Sequence, residues 1–328
     1  MLVINEIDAV PKLYYNALSF LLYLFKTYIM KKLIYLFLTV LIVGCSSEDG
    51  GNDNNSNDDG DNTVLPCSGD NPVYLADNGV TIKACDFALV GDTGVVNGVT
   101  YTVVDEAMLR EMVENEQDVT KLATTKVTDM KFMFYENSTF NQPIGNWDVS
   151  NVTNMAYMFR DNSPTGSTFN QPIGNWDVSN VTDMKFMFYN STFNQPIGNW
   201  DVSSVTNMVH MFYNSTFNQP IGNWDVSNVT NMAYMFRGAT FNQPIGNWDV
   251  SNVTNMYGMF SYSTAFNQPI GDWDVSNVEN MRSMFDGATS FNQDLSSWSV
   301  DGVTSCYNFS LNTPSWTLPQ PNFTNCTP

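Results

Sequence analysis

Residues 140–159 read Phe-Asn-Gln-Pro-Ile-Gly-Asn-Trp-Asp-Val-Ser-Asn-Val-Thr-Asn-Met-Ala-Tyr-Met-Phe. The first eleven residues of this stretch recur almost verbatim down the chain. Their Trp falls at 147, 176, 200, 224, 248, 273 and 298, at intervals of 29, 24, 24, 24, 25 and 25. The long first interval holds an insertion, Asp161 to Gly166. Self-similarity at one fixed period of this size is the mark of a stacked array. Ile144-x-x-Trp147-x-Val149 reads as a short strand, with Trp147 and Val149 inward and Asp148 outward. Val152, Met155, Met158 and Phe159 fall at i, i+3, i+6 and i+7, one face of a short helix. Ser150 or Asn151 is placed to cap it. No single copy can bury so many apolar residues, so neighbouring copies must stack into a continuous core. Phe140 and its equivalents are expected to plug that core. The Asn after each of them is placed for a stacked amide ladder. The expected fold is therefore an α/β repeat solenoid, an array of a short strand plus a short helix per repeat.

Outside the array, residues 67–104 form a small β-rich N-terminal lead-in. Val73–Leu75, Val80–Ile82 and Val99–Val103 are strand-like, with turns at Asp77-Asn78-Gly79 and Asn97-Gly98. The array itself spans 105–310. It starts with an amphipathic helix over Glu106–Glu116, whose apolar side carries Met108, Leu109, Met112 and Val113. A degenerate copy follows at 119–134, with Leu122 in the Trp place. Residues 311–328 form a C-terminal cap, where Pro314, Pro319 and Pro321 break the pattern and Trp316 covers the last coil.

The chain has 328 residues, 13 Lys plus Arg, 33 Asp plus Glu, one His and a net charge of −20. An acidic surface of this kind repels phosphate backbones, which argues against nucleic acid as a partner. A hydrophobic content of 43% marks a folded chain, not a disordered one.

Residues 30–45 have the order of a secretory address. Lys31 and Lys32 precede an apolar run, Leu33 to Val43, too short for a comfortable transmembrane helix. The run ends in Leu41-Ile42-Val43-Gly44-Cys45, which resembles a bacterial lipobox. That resemblance makes 1–44 a signal peptide and Cys45 the lipidated mature N-terminus. Residues 1–29 lie upstream of a complete signal, so Met30 is the expected initiator. Lipid chains at Cys45 would hold the protein to a membrane. Ser46, where Asp would resemble inner-membrane retention, resembles proteins released to the outer membrane. Residues 45–66 form an acidic tether, with Glu48, Asp49, Asp53, Asp58, Asp59 and Asp61 and no cation. Such a stretch also resembles the surface-export signals of some Gram-negative lipoproteins. The other four cysteines fall as two close pairs at the two ends of the folded region. They are read as disulfides, Cys67 with Cys85 and Cys306 with Cys326, in an oxidising compartment.

Trp-Asp-Val-Ser-Asn-Val-Thr-Asn-Met-x-x-Met-Phe followed by Phe-Asn-Gln resembles the repeat of BspA-like leucine-rich-repeat surface proteins, a family also related to repeat lipoproteins of mycoplasmas. The match covers roughly 119–310, and the lead-in resembles the segment that often precedes such arrays. The resemblance implies a surface-exposed adhesion or interaction protein and supplies no catalytic residues. Family members with a C-terminal sorting domain differ from this chain, so anchoring is expected to rest on Cys45.

Two rows of residues are candidates for binding. Asp148, Asp177, Asp201, Asp225, Asp249 and Asp274 should stack in one file about 4.8 Å apart. Like charges in neighbouring positions repel, so the file calls for local hydrogen bonds, a basic partner or bound calcium. Calcium needs 6–8 oxygens, more than a single file offers without backbone carbonyls. The second row, Tyr157, Phe186, His210 and Tyr234, lies opposite the apolar face, with Tyr189 and Tyr213 beside it. Aromatics on an exposed surface stack on sugars or anchor proteins; the alternative is packing of neighbouring copies against one another. His210 is read as one more planar spacer in this row. The Met ladder is core on its spacing. No phosphate loop, HExxH, CxxC or nucleophile elbow is present, so no enzyme and no cofactor are expected. The leading expectation is an outer-membrane, surface-exposed adhesion or interaction scaffold for a host, matrix or neighbouring-cell protein. The alternative is a polysaccharide-capture module of a glycan-uptake system, and a third is a purely structural spacer.

Overall fold

The computed structural model describes residue 67 and residues 69–328. The signal segment, Cys45 and the acidic tether lie outside the described residues. In the lead-in, β1 (Val73–Leu75) pairs antiparallel with β2 (Ile82–Ala84). The connection is closed by Asn78, whose Oδ1 accepts from the backbone N–H groups of Val80 and Thr81. β3 (Thr93–Val96), which the sequence reading missed, and β4 (Val99–Val103) form a hairpin. Its turn residues Asn97 and Gly98 have φ of 51° and 78°, the paired left-handed conformation of a type I′ turn. β4 then runs parallel to β5 (Leu122–Ala123). Helix α1 (Glu106–Glu114) lies between them. Asp105 caps it by accepting from the Met108 N–H, and Leu109 is fully buried. Met108, Met112 and Val113 pack on the same core, as their spacing predicts.

The coils after α1 differ from the expected strand plus helix. Residues 152–159 contain no helix, and neither do their equivalents. The strand expected at Trp-x-Val is realised only beside the lead-in, where β4 pairs with Leu122 and Ile82 bridges Trp147. Lateral pairing sits instead at the Asn before Met. Parallel bridges link Asp129, Asn154, Asp183, Asn207, Asn231, Asn255, Asn280 and Ser305 in succession.

A donor account of one coil explains why. The Ala156 N–H bonds back to Asn154 Oδ1. The N–H groups of Met155, Tyr157 and Phe159 donate across to Asp183, Lys185 and Met187 of the next coil. Those of Met158 and Arg160 close tight turns onto Met155 and Tyr157. Every donor from Met155 to Arg160 therefore has a partner without the i→i−4 bonds of an α-helix. Tyr157 has φ of 63°, a left-handed residue that ends any helix. It takes the third position of a type II turn, where φ must be positive. An apolar spacing of 3, 3 and 1 suits a run of four-residue turns as well as it suits one helix face.

The core is a set of continuous files. Trp147, Trp176, Trp200, Trp224, Trp248, Trp273 and Trp298 are all 5% exposed or less. The Nε1 of each Trp donates to a backbone carbonyl of the preceding coil, as from Trp224 to Ile197 at 3.1 Å. Phe159, Phe188, Phe212, Phe236 and Phe260 stack near-parallel at 5.7–5.8 Å. Phe169 and its equivalents fill the space beside them. The Met residues of the coils, from Met130 to Met284, are buried throughout. The expected amide ladder is present: Asn194 Oδ1 accepts from the Asn218 N–H and the Gln219 Nε2 of the following coil, and the other copies repeat this. Coils approach so closely here that a Cβ on Gly222 would lie 2.7 Å from the Pro244 carbonyl oxygen.

Both ends of the array are closed. Cys67 is bonded to Cys85, and Cys306 to Cys326. Trp316 meets Phe285, Phe291 and Phe309 edge-on or tilted, and its Nε1 donates to the Gln293 carbonyl. The predicted cap over the last coil is thus in place.

Candidate interaction faces

The Asp file is built on a local motif. Asp177, Asp201, Asp225, Asp249 and Asp274 are exposed, each between a buried Trp and a buried Val. One oxygen of each accepts from the backbone N–H of the Ser two residues on. In Asp177, Asp201 and Asp249 the same oxygen also takes the Ser hydroxyl at 2.6 Å. These bonds favour the ionised form. Ser203, Ser227 and Ser276 accordingly hold the carboxyls of Asp201, Asp225 and Asp274 below the usual range. Local hydrogen bonding, one of the outcomes the sequence left open, therefore takes up half of each carboxylate.

Asp148 departs from the file. It is 2% exposed, because the lead-in covers the first coil. Lys83 Nζ lies 3.7 Å from its Oδ1, and its Oδ2 is buried without a hydrogen-bond partner. It is not part of an exposed row. Among the described residues no three His, Cys, Asp or Glu side chains gather as cation ligands.

The aromatic row is present, and its geometry is a ladder. Phe132, Tyr157, Phe186, His210 and Tyr234 follow one another with centroids 4.3–4.7 Å apart. All five occupy the left-handed position, with φ of 56–63°. That conformation is unfavourable for residues other than glycine, and ring stacking offsets it. At the next coil the position is Gly258, where a Cβ would run into the Tyr234 ring; Tyr257 meets that ring at 4.4 Å, tilted by 52°. Tyr189 and Tyr213 stack in a second column at 4.6 Å. Ring faces in both columns are thus largely turned to other rings. Tyr262 and Tyr307, further along the array, are 50% and 60% exposed. His210 is the planar spacer expected of it. Burial, with Arg160 and Arg237 nearby, pushes its pKa down to about 4, so it is neutral.

The sequence reading missed the cations of this face. Arg160 occupies the second column and lies 5.0–5.6 Å from the rings of Tyr135, Tyr157, Phe186 and Tyr189. Arg237 lies over Tyr213, Tyr234 and Tyr262, and Arg282 over Tyr257 and Tyr307. Lys131 and Lys185 approach Phe132 and Tyr157. The available signal was the position of each cation in its repeat: beside the left-handed residue or just after Met-Phe.

Comparison with known proteins falls on the coils. No curated protein and no solved structure matches the chain. Residues 105–219 and 213–317 each match one family, described as Mycoplasma protein of unknown function, DUF285. The two matches together span most of the chain from α1 to the C-terminal cap, and the chain belongs to that DUF285 repeat family.

Proposed function

We propose that the protein is a surface-anchored bacterial lipoprotein that acts as an adhesion or protein-interaction scaffold. The observation that carries this reading is the unbroken run of lateral bridges from Asp129 to Ser305. It holds long rows of side chains in fixed register, a geometry suited to broad contact with another surface. The finer kinship, with BspA-like leucine-rich-repeat surface proteins, is supported by the Trp-Asp-Val-Ser…Met-Phe phrase. Lys31, Lys32, the apolar run and Cys45 support a lipid anchor, and Ser46 supports the outer membrane. The two disulfides fit an oxidising exterior. In this reading the chain is not an enzyme and uses no cofactor.

Polysaccharide capture is the weaker reading. It is supported by the exposed rings of Tyr262 and Tyr307, but in the ladder the faces that would stack on sugars meet one another.

The test is attachment of cells with and without the gene to immobilised matrix proteins and to neighbouring cells. Loss of attachment on deletion, restored by the full chain and not by a Cys45→Ala chain, is expected. Undiminished attachment after deletion would count against the scaffold.

A further inference from the structure

Six copies begin at Phe140, Phe169, Phe193, Phe217, Phe241 and Phe266. From that Phe through Met-x-x-Met-Phe they differ at only four places outside the x-x pair: Asp183, Ser204, Asp272 and Glu279. The x-x pair, by contrast, reads Ala-Tyr, Lys-Phe, Val-His, Ala-Tyr, Tyr-Gly and Arg-Ser. The two residues after Met-Phe read Arg-Asp, Tyr-Asn, Tyr-Asn, Arg-Gly, Ser-Tyr and Asp-Gly. Differences between copies are therefore concentrated on the face that carries the aromatic ladder.

The fold does not require those differences. Along this face the coils are joined by backbone bonds, such as Phe186 to Val209, His210 to Ala233 and Tyr234 to Tyr257. The same bonds form whether the side chain is Tyr, Phe, His, Gly or Ser. The face also gathers the cations of the array. Every Lys and Arg beyond residue 126 lies here against a ring. Among the described residues, Arg160, Arg237 and Arg282 form no ion pair, in a chain of net charge −20. Their positive charge is left for something outside the molecule.

We infer that this variable face is the docking surface for a protein partner whose contact region is acidic. The inference rests on the scaffold reading and names its working face. A repeating polysaccharide presents the same unit at every step and would be met by the same residues in every coil. Here the residues change from coil to coil, which suits an aperiodic ligand. Tyr and Arg are also the residue types that dominate protein interfaces, and unpaired cations select an acidic partner and speed its approach.

The test is selection of a random peptide library on the full chain, with polygalacturonate as the polysaccharide probe. Acidic peptides should be enriched, and the double variant Arg160→Gln plus Arg237→Gln should weaken their retention about tenfold or more. Because both arginines also pack on rings, Arg160→Lys plus Arg237→Lys provides a second variant that keeps the charge. It should retain acidic peptides better than the Gln variant. Asp201→Asn plus Asp225→Asn should leave retention unchanged. Basic peptides, lost in the Asp→Asn variant, would overturn the assignment of this face and leave the scaffold reading standing. Retention of polygalacturonate without any peptide, or of neither probe, would overturn both.

Discussion

Arg237 Nη1 donates a 2.7 Å hydrogen bond to the hydroxyl of Tyr213, one coil earlier. The same guanidinium lies 5.5 Å from the Tyr234 ring and 5.4 Å from that of Tyr262. A single side chain thus links three successive coils on the variable face. It does so with rings and a hydroxyl, so its charge is not neutralised by a carboxylate. The invariant part of each coil supplies stability through buried Trp, Met and Phe. The variable part sits on that frame.

The Trp file should be the most sensitive part of the frame. Trp224→Phe keeps most of the apolar bulk but removes the indole donor from the Ile197 carbonyl, which keeps only the Trp200 N–H. Loss of that one bond costs about 0.5–1.5 kcal/mol. Trp224→Ala adds a cavity and should cost roughly 3–5 kcal/mol. Denaturant unfolding of both variants measures this. A Phe variant as stable as the parent would show that the indole hydrogen bond contributes nothing.

His210 predicts a pH dependence. Its folded pKa of about 4 lies below the ordinary imidazole value of 6.5, through burial and the nearby Arg160 and Arg237. Between those values the unfolded chain binds the proton and the folded one does not. Stability from this group is therefore constant above pH about 6.5 and falls as pH drops toward about 4. Asp201 and Asp225 have depressed pKa values and lose their contribution at lower pH still. His210→Phe keeps a ring between Phe186 and Tyr234 and removes the titrating group. The melting temperature of the variant should lose the slope between pH 6.5 and 4 that the parent shows, and equal slopes would contradict the burial of His210.

The C-terminal cap should fail locally. The loop closed by Cys306–Cys326 has a sequence separation of 20. The chain-entropy model gives such a crosslink about 3 kcal/mol. Cys326→Ser should raise amide exchange around Trp316 and Phe309 first, because a terminal coil touches only one neighbour. Exchange rising uniformly over all coils would contradict a stack of nearest-neighbour units.

Much of this was legible in the sequence, and the limits have physical causes. The period, the buried Trp, Met and Phe files, the Asn ladder, α1 and both disulfide pairs followed from spacing and residue type. The helix at Val152–Phe159 did not form, because apolar spacing alone does not distinguish a helix from successive turns. The deciding residue, left-handed Tyr157, carries no propensity signal for that conformation. Asp148 was misplaced because the repeat pattern contains no sign of the lead-in that covers it. The stacked rings were foreseen as one of two outcomes. Arg160 and Arg237 went unread because they replace Tyr in one column and so do not form a row in the sequence. With nine residues in the one described helix, far-UV circular dichroism should lack a strong helical minimum. A strongly helical spectrum would restore the strand-plus-helix coil.

The most direct test of the account is to make the variable face uniform. In the six copies, both x-x residues and the residue after Met-Phe would be rewritten to Ala-Gly and Ser, with every framework residue kept. The folded spectrum and both disulfides should persist, since the backbone bonds between coils do not depend on those side chains. The amount of chain on the surface of cells should be unchanged, and attachment of those cells should fall to the level of the gene deletion. Undiminished attachment by a folded, surface-displayed uniform chain would contradict the assignment of partner recognition to this face.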